Sequence, residues 1–242
     1  MKLLRHFLCL IPLLLCAAPS WATITAVHAI ATNASCPEPG TTCTLAVTST
    51  GSGHAIIGSM WMPTAGAGTN SISGMSCGGT AVIVSNTIVT NTTLAGSQQM
   101  FYILSSTSGT TSCVFTTTSS MNNNGVATMA EFSTTTSGFL FDTSDNRLNA
   151  SGANPGGVTL ILSGSNDVIV QFVTPDASCS AASGSYSGSA VFPGGWGIAS
   201  AINTASGTAP IWTCGAGIDA LSAIALKENT AGSSTPNHGT VF

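Results

Sequence analysis

The groups in this chain that could do chemistry are eight carboxylates, a few histidines and a large supply of hydroxyls. The carboxylates are Glu38, Glu131, Asp142, Asp145, Asp167, Asp176, Asp219 and Glu228. Glycoside hydrolysis needs two of them facing one cleft, and no closely spaced acidic set on one strand is present. Glu131 stands out because it sits inside the apolar run Ala127–Phe132. Burial there would push its pKa up; the plainer reading, a hydrogen-bonded or solvent-facing structural glutamate, is preferred. His54 opens an apolar strand and reads as structural, while His28 and His238 lie near the ends of the chain. Gly184-Ser185-Tyr186-Ser187-Gly188 carries tyrosine where a nucleophile elbow needs serine. No phosphate-cradling glycine loop appears. No catalytic residue is assigned, and an extracellular hydrolase ranks last among the functions considered.

Binding chemistry has two candidates. Asp142, Asp145 and Asn146 put oxygen-rich side chains close together, the ligand type that Ca²⁺ takes; the same run also reads as a turn whose side chains cap their own backbone. Trp196 follows Pro193-Gly194-Gly195 and is expected in a loop, where an exposed indole, with Tyr186, would stack on a sugar ring. Trp61 and Trp212 are expected in the core. Calcium is the one cofactor considered, and none is required.

These groups sit in a chain with almost no positive charge. Beyond residue 22, Arg147 and Lys227 are the only basic side chains besides histidine. Nucleic acids are thereby excluded as partners, because counterion release needs several Lys or Arg. Met1–Ala22 has the parts of a secretory signal peptide: Lys2 and Arg5, the apolar run Phe7–Leu15, then Ser20 and Ala22 before the cut. The run is far shorter than the roughly 20 residues of a membrane span. Acylation of Cys16 is the competing reading, and bulky Leu15 argues against it. Six cysteines follow the leader, which points to disulfides and an oxidising compartment: secreted, cell-surface or periplasmic. Fifteen pairings exist. The sequential set is expected, Cys36–Cys43, Cys77–Cys113 and Cys179–Cys214, since Pro37-Glu38-Pro39-Gly40 can turn the first pair together.

The elements that must position these groups are strands. Short β-branched and aliphatic runs alternate with Gly/Ser/Asn/Thr clusters, and helical periodicity is nearly absent. The runs predict strands at Cys43–Thr48, His54–Met62, Thr80–Val84, Met100–Ser105, Thr111–Thr117, Ala127–Ser133, Val158–Ser163, Asp167–Val173 and Ile218–Lys227. Weaker runs are Thr23–Ala29 and Thr87–Thr90, and Gly164-Ser165-Asn166-Asp167 reads as a hairpin turn. Nine to eleven strands in one domain (residues 23–228) imply an all-β, two-layer antiparallel sandwich. A flexible tail is expected at 229–242.

The order of several short motifs supports the same fold. Gly53-His54-Ala55-Ile56-Ile57-Gly58, Gln99-Met100-Phe101-Tyr102, Ser108–Thr117, Ala130-Glu131-Phe132-Ser133, Asn166–Val170, Gly194–Trp196 and a final strand ending at Lys227 follow one another. In this order the chain resembles a diverse family of secreted bacterial β-sandwich proteins, jelly-roll and lectin-like in shape. The resemblance implies that fold and assigns no reaction or ligand. The function expected is a non-enzymatic binding, adhesion or envelope-structural role. The alternative is a carbohydrate-binding module, with a neutral glycan or another surface protein as partner.

Overall fold

The computed structural model describes residues 23–28, 31–65, 68–123, 125–150, 152–184, 186–191 and 196–230. The expected leader, His238 and all of the expected tail beyond residue 230 lie outside these residues. The described chain is all-β, with one 3₁₀ turn, Ser85–Thr87, and no helix long and apolar enough to cross a membrane.

Four antiparallel sheets stack in layers. Sheet I runs β1 (Ile24–Ala26), β10 (Gly125–Thr134), β4 (Ala55–Pro63), β8 (Gly96–Ile103) and β6 (Ala81–Ile83); β2 (Ala31–Cys36) also pairs with β10, and β7 (Val89–Asn91) with β8. Sheet II runs β11 (Phe139–Asn149), β17 (Asp219–Glu228), β12 (Asp167–Thr174), β15 (Gly197–Thr204) and β14 (Ser187–Val191). Sheet III is β3 (Gly40–Ala46), β9 (Ser112–Met121) and β5 (Ile72–Ser76), and sheet IV is β13 (Cys179–Ala182) with β16 (Trp212–Cys214).

The side-chain period of two explains why sheets I and II carry unbroken apolar runs. Ile57, Met100, Tyr102 and Phe132 of sheet I meet Val168, Val170, Phe172, Ile224 and Leu226 of sheet II in the central core. Their chain neighbours point the other way. Ile56, Met60, Phe101 and Met129 pack against Leu45, Phe115 and Ile72 of sheet III. Ile169, Val173, Leu221 and Ala223 pack under Trp212, Tyr186 and the Cys179–Cys214 bridge. Both central sheets are therefore covered on both faces. The two-layer expectation becomes a sandwich with an added layer on each side, with seventeen strands among the described residues where nine to eleven were expected.

All three sequential disulfides form. Cys36–Cys43 joins β2 of sheet I to β3 of sheet III, Cys77–Cys113 closes the end of β5 onto β9, and Cys179 faces Cys214 directly in the β13–β16 ladder. Three bridges fit an oxidising, extracytoplasmic compartment. Between sheets I and II a buried polar contact sets alignment: Gln98 donates to Ser222 Oγ (2.6 Å), accepts from Thr174 Oγ1 (2.7 Å), and Ser222 donates to the Thr87 carbonyl (2.8 Å). Such a network is satisfied in one register only.

Two expected elements differ. Val158–Ser163 is not a strand. Val158 and Leu160 are buried, but their N–H groups donate to Gln171 Oε1 and the Gly207 carbonyl rather than to a ladder, so no β-hairpin forms at Gly164–Asp167. The run Asp142–Asn146, read as a turn, lies inside the long edge strand β11.

Close packing makes one glycine indispensable. A Cβ on Gly58 would lie 2.4 Å from Phe101 Cζ and 2.4 Å from the Thr128 carbonyl oxygen. The Phe101 ring fills that space and tilts against Phe115, with 5.3 Å between centroids. Gly58→Ala is expected to destabilise the protein by about 2 kcal/mol through overpacking, measured as a lower urea midpoint at unchanged m-value.

Candidate functional site

One group of ionisable side chains (His28, His54, Glu131, Asp142, Asp167, Lys227 and Glu228) gathers at one end of the sandwich, where β10 passes into β11 and β17 ends. Glu131 lies near the end of β10. One neighbour is β4, entered through His54; on the other side β1 runs antiparallel and leads to His28, with Val27 N–H donating to the Glu131 carbonyl at 2.9 Å. The two strands thus bring imidazoles to both oxygens of one carboxylate. His28 Nδ1 lies 2.6 Å from Oε2, His54 Nδ1 lies 2.7 Å from Oε1, and Gly51 N–H donates to Oε1 at 2.8 Å. Gly51 is glycine for a local reason: a Cβ there would stand 2.1 Å from His54 Cε1, so the ring rests on bare backbone.

Glu131 is buried, at 4% exposure, while His28 and His54 keep 28% and 24%. Burial pushes the Glu131 pKa up, but the Gly51 N–H and the bonds to His28 and His54 reverse this, and the carboxyl ends below its ordinary value. Glu131 is therefore a fully hydrogen-bonded carboxylate and not an acid raised by an apolar pocket. Because a carboxylate only accepts, each imidazole presents Nδ1–H to it and turns Nε2 away. An imidazole held this way is a well-oriented hydrogen-bonding group. Beside His54 lies a cleft of about 430 Å³, lined by Ser52, Ser105, Thr134, Thr136, Ser137 and Phe139 among others.

A second cleft, about 310 Å³, opens next to it between Leu140, the Ser163–Asn166 turn and the end of β17 at Lys227 and Glu228. Glu228 accepts from Thr134 Oγ1 and so joins the rims of the two clefts. Beneath this cleft Asp142 accepts from Ser163 N–H at Oδ2 (2.8 Å) and from Ser163 Oγ at Oδ1. Lys227 Nζ lies 3.4 Å from Asp142 Oδ1 and donates to Ser163 Oγ at 2.8 Å. Asp167 is fully buried beside Asp142. Burial, followed by the bond to Asp142 and the charge on it, pushes Asp167 up to about 7, against the pull of Lys227. Burial also works against an ionised Asp142, but the two Ser163 bonds, Asp167 and Lys227 outweigh it and lower its pKa to about 2.

The other expected site residues do not come together. Asp142, Asp145 and Asn146 stand on strand β11, not in a loop. Asp142 turns to Ser163, whereas Asp145 Oδ1 accepts from Asn146 N–H (2.8 Å) and Asn146 Nδ2 donates to the Asn86 carbonyl. Successive strand positions face opposite ways, so these oxygens do not surround a common point. No group of three or more His, Cys, Asp or Glu among the described residues is placed to hold a metal. Tyr186 is buried under sheet IV with its hydroxyl accepting from Gln171 Nε2 (3.0 Å), and Trp196 is half-buried against the central core. They lie on opposite faces of sheet II and form no shared aromatic platform.

Sequence reasoning did not find the convergence of His28 and His54 on Glu131. Its only trace was the placement of all three at strand ends, and the pairing that joins those ends is long-range. No protein-family model, curated protein or solved structure matches this chain.

Proposed function

We propose that this chain is an exported β-sandwich that works outside the cytoplasm as a non-enzymatic binding, adhesion or envelope-structural protein. The observation that carries this reading is the way its acid–base groups are used. Both oxygens of Glu131 are taken up by His28, His54 and Gly51, which ties the β1 and β4 sides to β10. The three disulfides and the layers covering both central sheets suit a protein exposed to an oxidising, unbuffered setting. Hydrolytic turnover that disappears in Glu131→Gln would overturn the non-enzymatic reading.

The cleft beside His54 favours one class of partner. Half of its lining residues are serines and threonines, with Leu104 and Phe139 as apolar surface and no Lys, Arg, Asp or Glu among the described residues that line it. A neutral glycan matches that lining: hydroxyls exchange hydrogen bonds while the sugar's C–H face meets the apolar residues. Ser105 is exposed on the rim. On a glycan array, wild-type protein is expected to retain a neutral oligosaccharide that Ser105→Trp, filling the cleft, no longer retains. Equal retention by both proteins, or none by wild type, would remove the glycan reading.

A further inference from the structure

Lys227, the only lysine beyond residue 22, sits on β17 between the two strands that carry Asp142 and Asp167. On one side it pairs with Asp167 of β12, and on the other with Leu140 of β11. The β11–β17 register slips between Phe141 and Thr143, which makes Asp142 the extra residue of a bulge. A bulge re-aims the side chain it carries, and this one directs Asp142 at Lys227, with Nζ 3.4 Å from Oδ1. The Asp142 side chain is 1% exposed. Behind it, no N–H or O–H donor among the described residues reaches either oxygen of the fully buried Asp167. Its contact with Asp142 is a hydrogen bond only if one of the two acids holds a proton. Gly164 makes room for this arrangement, since a Cβ there would lie 1.9 Å from Asp167 Oδ1.

We propose that Lys227 and Asp142 condense into an intramolecular isopeptide bond that fastens edge strand β11 to β17, with Asp167 as the buried acid that relays the proton. Asp167, beside Asp142 and cross-strand from Lys227, passes its proton to the Asp142 carboxylate and takes one from the Lys227 ammonium, leaving a neutral amine and a neutral acid with no change in total charge. The Nζ lone pair then forms the N–C bond at Asp142 Cγ. Ser163 N–H, 2.8 Å from Oδ2, stabilises the oxyanion that develops there. Asp167 protonates the departing hydroxyl, the Cγ–Oδ1 bond breaks, and one water leaves. The surplus proton on nitrogen returns to Asp167, which ends as it began. No oxidant, metal or cofactor enters the balance. Holding amine and acid in contact in a site where Asp142 is almost dry supplies the proximity that condensation in water lacks.

Intact-mass spectrometry of the folded, exported protein tests this. The wild-type mass is expected to fall below that of the processed, three-disulfide chain by one water, about 18 Da. Fragmentation should yield a branched peptide joining residues 142 and 227. Lys227→Arg and Asp142→Ala should restore the missing mass. Asp167→Asn, which keeps the shape and can still hydrogen-bond to Asp142, should restore it while circular dichroism stays that of wild type. Full mass in folded wild-type protein overturns the proposal, and so does a mass deficit that persists in Lys227→Arg. A deficit that persists in folded Asp167→Asn overturns the role given to that acid.

Discussion

Glu131→Ala is expected to destabilise the protein by about 3 kcal/mol, because it removes the one buried acceptor shared by three half-buried donors. His28, His54 and Gly51 N–H would then face an apolar gap at the junction of β1, β4 and β10. Glu131→Gln is milder, about 1–3 kcal/mol. Its carbonyl can still accept from Gly51 or one imidazole, but its amide presents N–H to the other, which must change tautomer to accept. The pH dependence gives a sharper signature. The folded pKa of Glu131 lies below its ordinary value, so the folded state holds fewer protons here than the unfolded chain as acid is added. The stabilisation is complete above the unfolded glutamate pKa, about 4.3, and is lost as pH falls through the lower folded value. Urea midpoints of wild type and Glu131→Gln should therefore differ at neutral pH and converge below about pH 4. Curves that stay parallel to the acid limit would show that the carboxylate does not stabilise the fold.

Removing the Cys77–Cys113 bridge should have an effect of similar size for a different reason. The bridge closes a chain separation of 36 residues, and the loop-entropy relation gives about 4 kcal/mol for a loop of that length. Cys77→Ala/Cys113→Ala is expected to lower the melting temperature by roughly 10 °C, since about 1 kcal/mol corresponds to a few degrees in a chain of this size. The Cys36–Cys43 bridge spans 7 residues and by the same relation contributes only about 2.5 kcal/mol. Thermal unfolding of the two double variants separates loop entropy from lost sulfur packing. Cys36, Cys43, Cys77 and Cys113 are all buried in the core between sheets I and III. Equal melting losses from the two pairs would place the stabilisation in packing rather than in the unfolded chain.

Local pattern made the β-class readable. β4, β8, β10, β12 and β17 each lie within or overlap a predicted strand, because a β-branched or aliphatic run bounded by Gly, Ser and Asn has few other ways to bury itself. The even cysteine count pointed to disulfides and a turn-forming spacer to Cys36–Cys43, but the choice among fifteen pairings was decided by the fold, which forms the expected sequential set. β11 was not readable. Its Asp142-Thr143-Ser144-Asp145-Asn146 stretch has turn composition, yet it pairs with β17 along nearly its whole length. As an edge strand it needs apolar residues on only one face, and polar residues on an edge also guard against stray pairing. Val158–Ser163 failed in the opposite way: its alternation looks like a strand, but neighbouring loops and Gln171 satisfy its backbone.

By itself, the sequence determined the composition-driven properties of this protein: an all-β chain with almost no cations and cysteines enough for three bridges. Those properties follow from side-chain chemistry and short-range spacing, which need no knowledge of what lies across a sheet. Only the tertiary structure decided which groups meet. Glu131 is 103 positions from His28 and 77 from His54, and Asp142 meets Lys227 because a bulge turns it and the β11–β17 register delivers it. Register is set by the summed packing of whole strands, and a shift of one residue would send each of these side chains to the other face. The chemistry of this protein therefore lies in its pairings, which no local stretch of residues encodes.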